Sequence, residues 1–132
     1  MKKFAYRQYS IRELYDSYTR NEIIFPSQYN EIPWIKQHKE KLLNMIIHRY
    51  PVKGIAIHVD FIMEKNSNIP AIKKNIVYGQ QELKTIFEYL KTDFTKLCED
   101  EKRKVMNYPI SATVLFNIPN TFAGSSFPRP QP

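Results

Sequence analysis

The feature that most constrains the fold is a glycine between an apolar run and a helical pattern, in IVYGQQELKTI at residues 76–86. Ile76 and Val77 are typical of a strand, whereas the apolar residues after Gly79 recur with helical spacing. A helix that begins directly after a strand presents free backbone N–H groups, and many proteins bind phosphate there. This turn carries no basic, Ser or Thr residue, and the bulky phenol of Tyr78 precedes its glycine. The turn is therefore either a functional site or a turn that keeps the backbone shape of such a site without its active residues.

The patterns on either side of this unit predict an α+β domain with a small mixed β-sheet and packed helices. Ser10 and Glu13 form a capping-box pattern at the start of the first helix. The apolar residues from Ile35 to Ile47 share one helix face, so Ile35 is predicted to be buried. In chain order we predict helix 10–18, strand 23–25, helix 35–49, strand 54–59, strand 74–78, a helix from about Gln81 to Leu90, helix 99–106 and strand 110–116.

The chain fits a single domain. It has 132 residues, of which 42% are hydrophobic, and this is enough for a buried core. We expect the domain to extend over residues 1–118. Residues 119–132 contain Pro, Ser and Gly without periodicity, so this tail is predicted to be disordered. Residues 63–70 are predicted to form a polar loop.

Several features predict a cytoplasmic protein that does not span a membrane. No apolar run approaches the ~20 residues that a spanning helix needs. The N-terminal residues MKKFAYRQYS contain two lysines but no apolar stretch of a secretory signal. The single Cys98 cannot form an internal disulfide, which fits a reducing compartment, and we expect it to be a small buried side chain.

The charge of the chain favours an anionic partner. Lys and Arg number 20 against 13 Asp and Glu, and the resulting net charge of +7 favours nucleic acid first. The lysines are spread along the chain, and Lys36, Lys39 and Lys41 are the candidates for phosphate contacts. The alternative is that these three lysines form a solvated helix face.

The histidines give no indication of a metal site. His38, His48 and His58 lie ten residues apart, without Cys, Asp or Glu at ligand spacing. We expect His38 and His48 on a helix surface and His58 in a structural role in a strand. We therefore predict no metal and no cofactor.

Five segments follow one another in an order that points to a known family: SIRELYDSY, PSQYNEIPW, LLNMIIHRYPVKGIAI, VYGQQELKTIFEYL and FTKLCEDEKRKVMNYPISATVL. From residue 9 to about residue 116, they resemble the N-terminal domain of GmrSD-type restriction enzymes, a branch of the ParB/sulfiredoxin-like fold. That family has an opening helix of the pattern sI.eL, a proline-to-tryptophan segment and a DGQQR turn between a strand and a helix. The resemblance implies a ParB/sulfiredoxin-like fold in which the turn and a Gln–Arg pair serve nucleotide binding and hydrolysis.

The sequence departs from the family at positions that carry this chemistry. Tyr78 stands where the family has Asp, and Glu82 stands where it has Arg, whereas Gly79, Gln80 and Gln81 are kept. A carboxylate repels phosphate, so phosphoryl transfer is not expected at this turn. Tyr78 is expected to be a packed aromatic residue, with a stacking platform for a base as the alternative.

The earlier segment has changed as well, because Tyr29 and Asn30 take the places of the family's Gln and Arg. We therefore predict a catalytically inactive domain that binds nucleic acid or a restriction-type protein partner. One alternative is a residual nucleotide hydrolase or NTP-dependent nuclease that uses Gln80, Gln81 and Glu82, with nucleotide and Mg²⁺ as cofactors. The other is a protein-interaction module or homo-oligomer, whose interface is the surface that the family's following helical part would cover.

Overall fold

The computed structural model describes residues 3–62 and 71–116. Within them lie four α-helices, two short 3-10 turns and one five-stranded β-sheet. The strands are β1 (Lys3–Ser10), β2 (Ile23–Ile24), β3 (Ile55–Ile62), β4 (Ala71–Tyr78) and β5 (Pro109–Phe116). The helices are α1 (Ile11–Thr19), α2 (Lys36–Ile47), α3 (Gln80–Thr92) and α4 (Glu99–Met106), and the 3-10 turns are Ser27–Tyr29 and Phe94–Lys96.

The sheet is mixed, with the strand order β1-β5-β3-β4-β2. Strand β5 pairs antiparallel with β1 and parallel with β3. Strand β4 pairs antiparallel with β3 and parallel with β2. The prediction of an α+β domain with a small mixed sheet and packed helices is therefore confirmed.

One face of the sheet forms the hydrophobic core together with the helices. Ile55, Ile57 and Val59 alternate along β3 and are all buried in the core cluster, as expected for a strand covered on one side. The apolar stripe predicted for α3 is buried in the same cluster. The helices contribute Ile11, Leu14, Leu42, Ile46, Leu83, Ile86, Phe87, Leu90 and Val105.

The start of α1 follows directly from its sequence. The Ser10 hydroxyl accepts a hydrogen bond from the Glu13 N–H at 3.1 Å, and the Glu13 carboxylate accepts one from the Ser10 N–H at 2.9 Å. Tyr9 and Leu14, on either side of this cap, both lie in the core. The predicted capping box is confirmed, and it places α1 immediately after β1.

The predicted element order is wrong at the N-terminus, because strand β1 precedes the first helix. Phe4 and Tyr6 are apolar or aromatic residues of this strand whose side chains are exposed. The strand therefore does not show the alternation of buried apolar and exposed polar residues by which a half-buried strand is recognised in a sequence. All its residues, Lys3–Ser10, pair with β5 at the other end of the described chain. The strand depends on this distant pairing rather than on a local signal.

Two residues predicted to be buried are exposed, because each caps a helix. Ile35 precedes the first residue of α2 and is 56% exposed, so the apolar face of that helix begins later. Cys98 precedes α4 and is exposed, and its N–H donates to the Glu101 carboxylate at 3.3 Å. Capping residues lie at the end of a helix, where little packs against them.

Two further predictions lie outside the described residues, namely the polar loop 63–70 and the tail 119–132. None of the described helices has both the length and the apolar character needed to cross a bilayer.

Candidate functional site

The turn between β4 and α3 requires glycine at residue 79. Gly79 has a φ of +89°, a left-handed conformation that costs other residues about 1–2 kcal/mol. A Cβ atom at this position would lie 2.6 Å from Cγ2 of Ile55 on the neighbouring strand β3. The predicted strand–turn–helix unit is therefore confirmed, with α3 beginning at Gln80.

A carboxylate of the chain itself occupies the N-terminus of α3. Glu31 accepts a hydrogen bond from the Gly79 N–H at 3.1 Å and another from the Gln81 N–H at 3.0 Å. Gly79 has no side chain to cap the helix, so these N–H groups need an acceptor from elsewhere. The negative charge of Glu31 also suits the positive end of the helix dipole. A phosphate at this position would have to displace the carboxylate.

The two glutamine side chains of the turn hold the loop that precedes α2. Gln80 is fully buried, and its Nε2 donates to the carbonyl oxygens of Pro26 and Ile76, both at 3.0 Å. The Gln81 side-chain oxygen accepts a hydrogen bond from the Trp34 N–H at 3.1 Å. Both side chains are therefore engaged with backbone groups.

The first turn of α3 thus fixes the loop of residues 26–34 at its beginning, near its middle and at its end. We call this arrangement of Glu31, Gly79, Gln80 and Gln81 the clasp. Most of its polar groups bond to one another and to the backbone, as buried polar groups usually do, whereas the buried Oε1 of Gln80 has no hydrogen-bond partner among the described residues. The clasp explains why these residue types occur together without requiring a ligand.

Glu82 is buried beside the clasp, with 8% of its surface exposed. It lines a cavity of about 370 Å³ together with Trp34, Lys41 and Lys53. Burial raises the pKa of the Glu82 carboxyl above its ordinary value, the charge of Glu31 raises it further, and Lys53 lowers it. A carboxylate in this wall makes the cavity a poor place for phosphate.

Tyr29 and Asn30 lie on the loop that the clasp holds. Tyr29 is half-buried at the end of a 3-10 turn, and Asn30 is exposed. Their N–H groups donate to the carbonyl oxygens of Pro26 and Ser27, each at 3.1 Å. The side chain that hydrogen-bonds the glycine turn is that of the next residue, Glu31. The structure thus brings the two predicted motif segments together.

A second concave region lies on the sheet, and Tyr78 forms one end of it. In the register of the sheet, Tyr6 lies opposite Thr113, Thr113 opposite Ala56, and Ala56 opposite Tyr78. Ala56 alternates with residues that face the core, so this row lies on the other face of the sheet. We call the region the trough; it has a volume of about 680 Å³, and its lining includes Tyr6, Arg7, Gly54, Ala56, Tyr78 and Thr113.

Tyr78 links the trough to a cation. The Lys53 ammonium lies 5.3 Å from the centroid of the Tyr78 ring, within the range of a cation–π interaction. The hydrogen bond between the two side chains raises the pKa of Lys53 above its ordinary value, and Glu82 and Glu31 raise it further. Lys53 therefore stays charged near neutral pH. Tyr78 is half-buried and lines the trough, so it is neither a fully packed core residue nor a free ring.

The three candidate lysines of α2 do not share one surface. Lys36 lies 3.7 Å from the Glu40 carboxylate, and Lys39 lies 3.8 Å from the Glu88 carboxylate of α3. Lys41 is turned by about 160° around the helix from Lys39 and lines the cavity beside the clasp. Contact of these lysines with phosphate stays a prediction.

No group of three or more His, Cys, Asp and Glu residues within 3–62 and 71–116 is arranged to hold a metal ion. His38 and His48 are exposed, as predicted. His58 is half-buried in β3, with Nε2 3.6 Å from the Asp60 carboxylate. That the protein uses no cofactor stays a prediction.

The sequence patterns alone do not single out Glu31, Lys53 or Tyr6. A signal for Glu31 exists, because a helix that starts after glycine needs an external cap and the loop 26–34 contains one acid. Tyr6 lies on a strand without a local signal, and Lys53 is one of many lysines.

The chain matches no protein-family model, no curated protein and no solved structure. The resemblance to the GmrSD N-terminal domains, and with it the ParB/sulfiredoxin-like fold, therefore rests on the sequence motifs. The structure itself gives a mixed α+β domain with a clasped turn and an aromatic trough.

Proposed function

We propose that this protein is a catalytically inactive domain of the ParB/GmrSD-like kind and that it acts by binding nucleic acid. The observation that carries the proposal is the trough, where Tyr6 and Tyr78 line one concave surface and the Lys53 ammonium lies beside Tyr78. Basic side chains supply attraction to phosphates, and accessible aromatic rings supply contact with bases. The net charge of +7 has the sign that such a partner requires.

The clasp supports the inactive half of the proposal. A hydrolase at this turn needs room for phosphate, and the Glu31 carboxylate holds that position. Gln80 and Gln81 are bonded to backbone groups, and Glu82 is buried. We therefore expect no ATP or GTP turnover in the presence of Mg²⁺. Turnover that is abolished by Gln81→Ala in a variant that still folds would contradict this and support the alternative of a residual nucleotide hydrolase.

Salt dependence tests the binding of nucleic acid. Fluorescence anisotropy with labelled oligonucleotides, between about 50 and 200 mM salt, should show a log affinity that falls linearly with log salt. The slope reports how many phosphates the protein neutralises. Retention of no oligonucleotide at the lowest salt would refute the proposal.

The lysines of α2 are tested in the same assay. Replacing Lys36, Lys39 and Lys41 by Gln should reduce the slope by about one unit for each phosphate contact that is lost. Because Lys36 and Lys39 already lie near carboxylates, we expect their share to be small. An unchanged slope in the triple variant would place the phosphate contacts elsewhere.

A second candidate function is binding to protein, either a second copy of the chain or a restriction-type subunit. Ile32 and Ile35 favour it, because they are 87% and 56% exposed on either side of Pro33 and Trp34. Large exposed apolar side chains that lie close together are typical of interfaces. Sedimentation should then show an oligomer that Ile32→Ser with Ile35→Ser dissociates, with little effect of salt. If the protein is a monomer at high concentration, the homo-oligomer is ruled out.

A further inference from the structure

We propose that the trough binds single-stranded nucleic acid, with bases stacked on Tyr6 and Tyr78 and the phosphate backbone beside Lys53. The inference rests on the proposed binding of nucleic acid and specifies the form of nucleic acid that this site takes.

The spacing of the two rings suits a short run of bases. Tyr6 is on β1 and Tyr78 on β4, so three strand spacings of about 4.8 Å separate them, or about 14 Å. Stacked bases of one strand follow one another at about 3.4 Å, so about four span that distance. Phe4 lies edge-on to Tyr6 with 5.6 Å between ring centroids, and it extends the aromatic surface along β1.

The floor between the rings consists of small side chains. Ala56 and Thr113 lie in the same row as the two tyrosines. Gly54 lies beside Ser111, and a Cβ atom at Gly54 would be 2.8 Å from the Ser111 carbonyl oxygen. A chain can therefore lie across the sheet here and reach the hydroxyls of Ser111 and Thr113. Such contacts favour no particular base, so we expect little sequence preference.

The charges around the trough match a phosphate backbone. None of the ten described residues that line it is Asp or Glu. Lys53 supplies a cation at the Tyr78 end. The acids that face Lys53 are Glu31, which is bonded within the clasp, and the buried Glu82.

A single strand suits this surface better than a duplex. Stacking on a tyrosine needs a free base face, and in a duplex both faces of each base are covered by its neighbours. Proteins that read a duplex insert a helix or a two-stranded ribbon into its groove. The trough is concave and its lining residues come from the sheet. A single nucleic-acid strand can therefore lie in the trough, whereas the trough cannot enter the groove of a duplex.

The experiment measures anisotropy of a labelled single strand of about 15 nucleotides and of the matching duplex, with the whole chain at low salt. We expect the single strand to bind at least about tenfold more tightly, and Tyr6→Ala to weaken it about 5- to 150-fold. Tyr6 is 79% exposed, so this variant should fold normally. Tyr50→Ala is the matched control, because Tyr50 is 61% exposed outside the trough and should leave the affinity unchanged.

Lys53→Gln should reduce the salt slope for the single strand by about one unit, whereas the exposed control Lys96→Gln should not. Tight single-strand binding that survives Tyr6→Ala would remove the trough as the site. Equal binding of single strand and duplex would overturn the inference and leave the proposed binding of nucleic acid intact. Failure to bind either form would overturn both.

Discussion

Two adjacent residues, Tyr78 and Gly79, belong to regions of opposite character. Gly79 belongs to the clasp, where Gln80 is fully buried and Glu31 is bonded to backbone N–H groups. Tyr78 belongs to the trough, where Tyr6 is 79% exposed. Gly79, Gln80 and Gln81, which suggest a site in the sequence, thus hold the fold together. The trough combines Tyr78 with residues such as Tyr6 that the sequence does not single out.

The difference has a physical cause. Backbone N–H groups at a helix start need acceptors whether or not a ligand is present, and a buried glutamine must be hydrogen-bonded. The glycine and the glutamines of this turn therefore serve stability. An exposed aromatic ring contributes little to folding, so a reason for its presence has to be sought outside the chain. Variants of the clasp should accordingly lose stability, and variants of the trough should lose affinity.

The largest loss of stability is expected from Gly79→Ala. The left-handed backbone and the contact of the new Cβ with Ile55 together should cost about 2–5 kcal/mol in the free energy of unfolding. Urea denaturation measures this cost. Gly54→Ala is the comparison in the trough, because only a close approach to Ser111 opposes it, and it should cost about 1–3 kcal/mol. Equal costs would show that the left-handed turn is not the reason for Gly79.

Gln80→Ala should cost about 2–3 kcal/mol, because it leaves a cavity and two carbonyl oxygens without their donor. The affinity of the folded variant for nucleic acid should not change. The measurement pairs urea denaturation with the anisotropy assay, and Gln8→Ala on the exposed strand β1 serves as the matched control for stability. A stable Gln80→Ala variant with reduced affinity would mean that the clasp, not the trough, contacts the ligand.

Glu31→Ala should cost about 1–2 kcal/mol, the usual loss when a side-chain cap is removed from a helix. Glu31→Gln should cost less, because its amide keeps one acceptor oxygen for the helix. The exposed control Glu40→Gln should lie near zero. If Glu31→Ala is as stable as the wild type, solvent satisfies these N–H groups equally well and Glu31 is not a cap.

Much of the fold is predictable because most elements carry local signals. Helix α1 has its capping box, and α3 has its glycine and its apolar stripe. Strand β1 has no such signal, since it pairs with β5 far along the chain. The clasp joins Glu31 to residues 48 and 50 positions away, and the trough depends on the register of four strands. Register is set by packing across the sheet, which one sequence does not reveal.

The smallest effect on stability is expected from Glu82→Gln, and it should depend on pH. Burial raises the pKa of Glu82 in the folded protein, so the folded protein binds more protons than the unfolded chain just above the ordinary carboxyl pKa. The stability of the wild type should then fall, relative to Glu82→Gln, as the pH rises above the ordinary carboxyl value. The fall begins near the ordinary value of 4.5 and ends once the raised pKa is passed.

Thermal melting of both proteins across this range tests the sign, because groups that do not interact with Glu82 titrate alike in both proteins and cancel in the difference. Glu31 and Lys53 face Glu82 and remain in both proteins.

The affinity for single-stranded nucleic acid gives a second comparison, because Lys53 also lies beside Tyr78. At neutral pH this affinity should be unchanged or slightly higher in Glu82→Gln, since a nearby negative charge has been removed. If the wild type instead loses stability relative to Glu82→Gln as the pH falls, the Glu82 carboxylate is stabilised by Lys53 and not penalised by burial. The cavity beside the clasp would then contain a stabilising ion pair between Glu82 and Lys53.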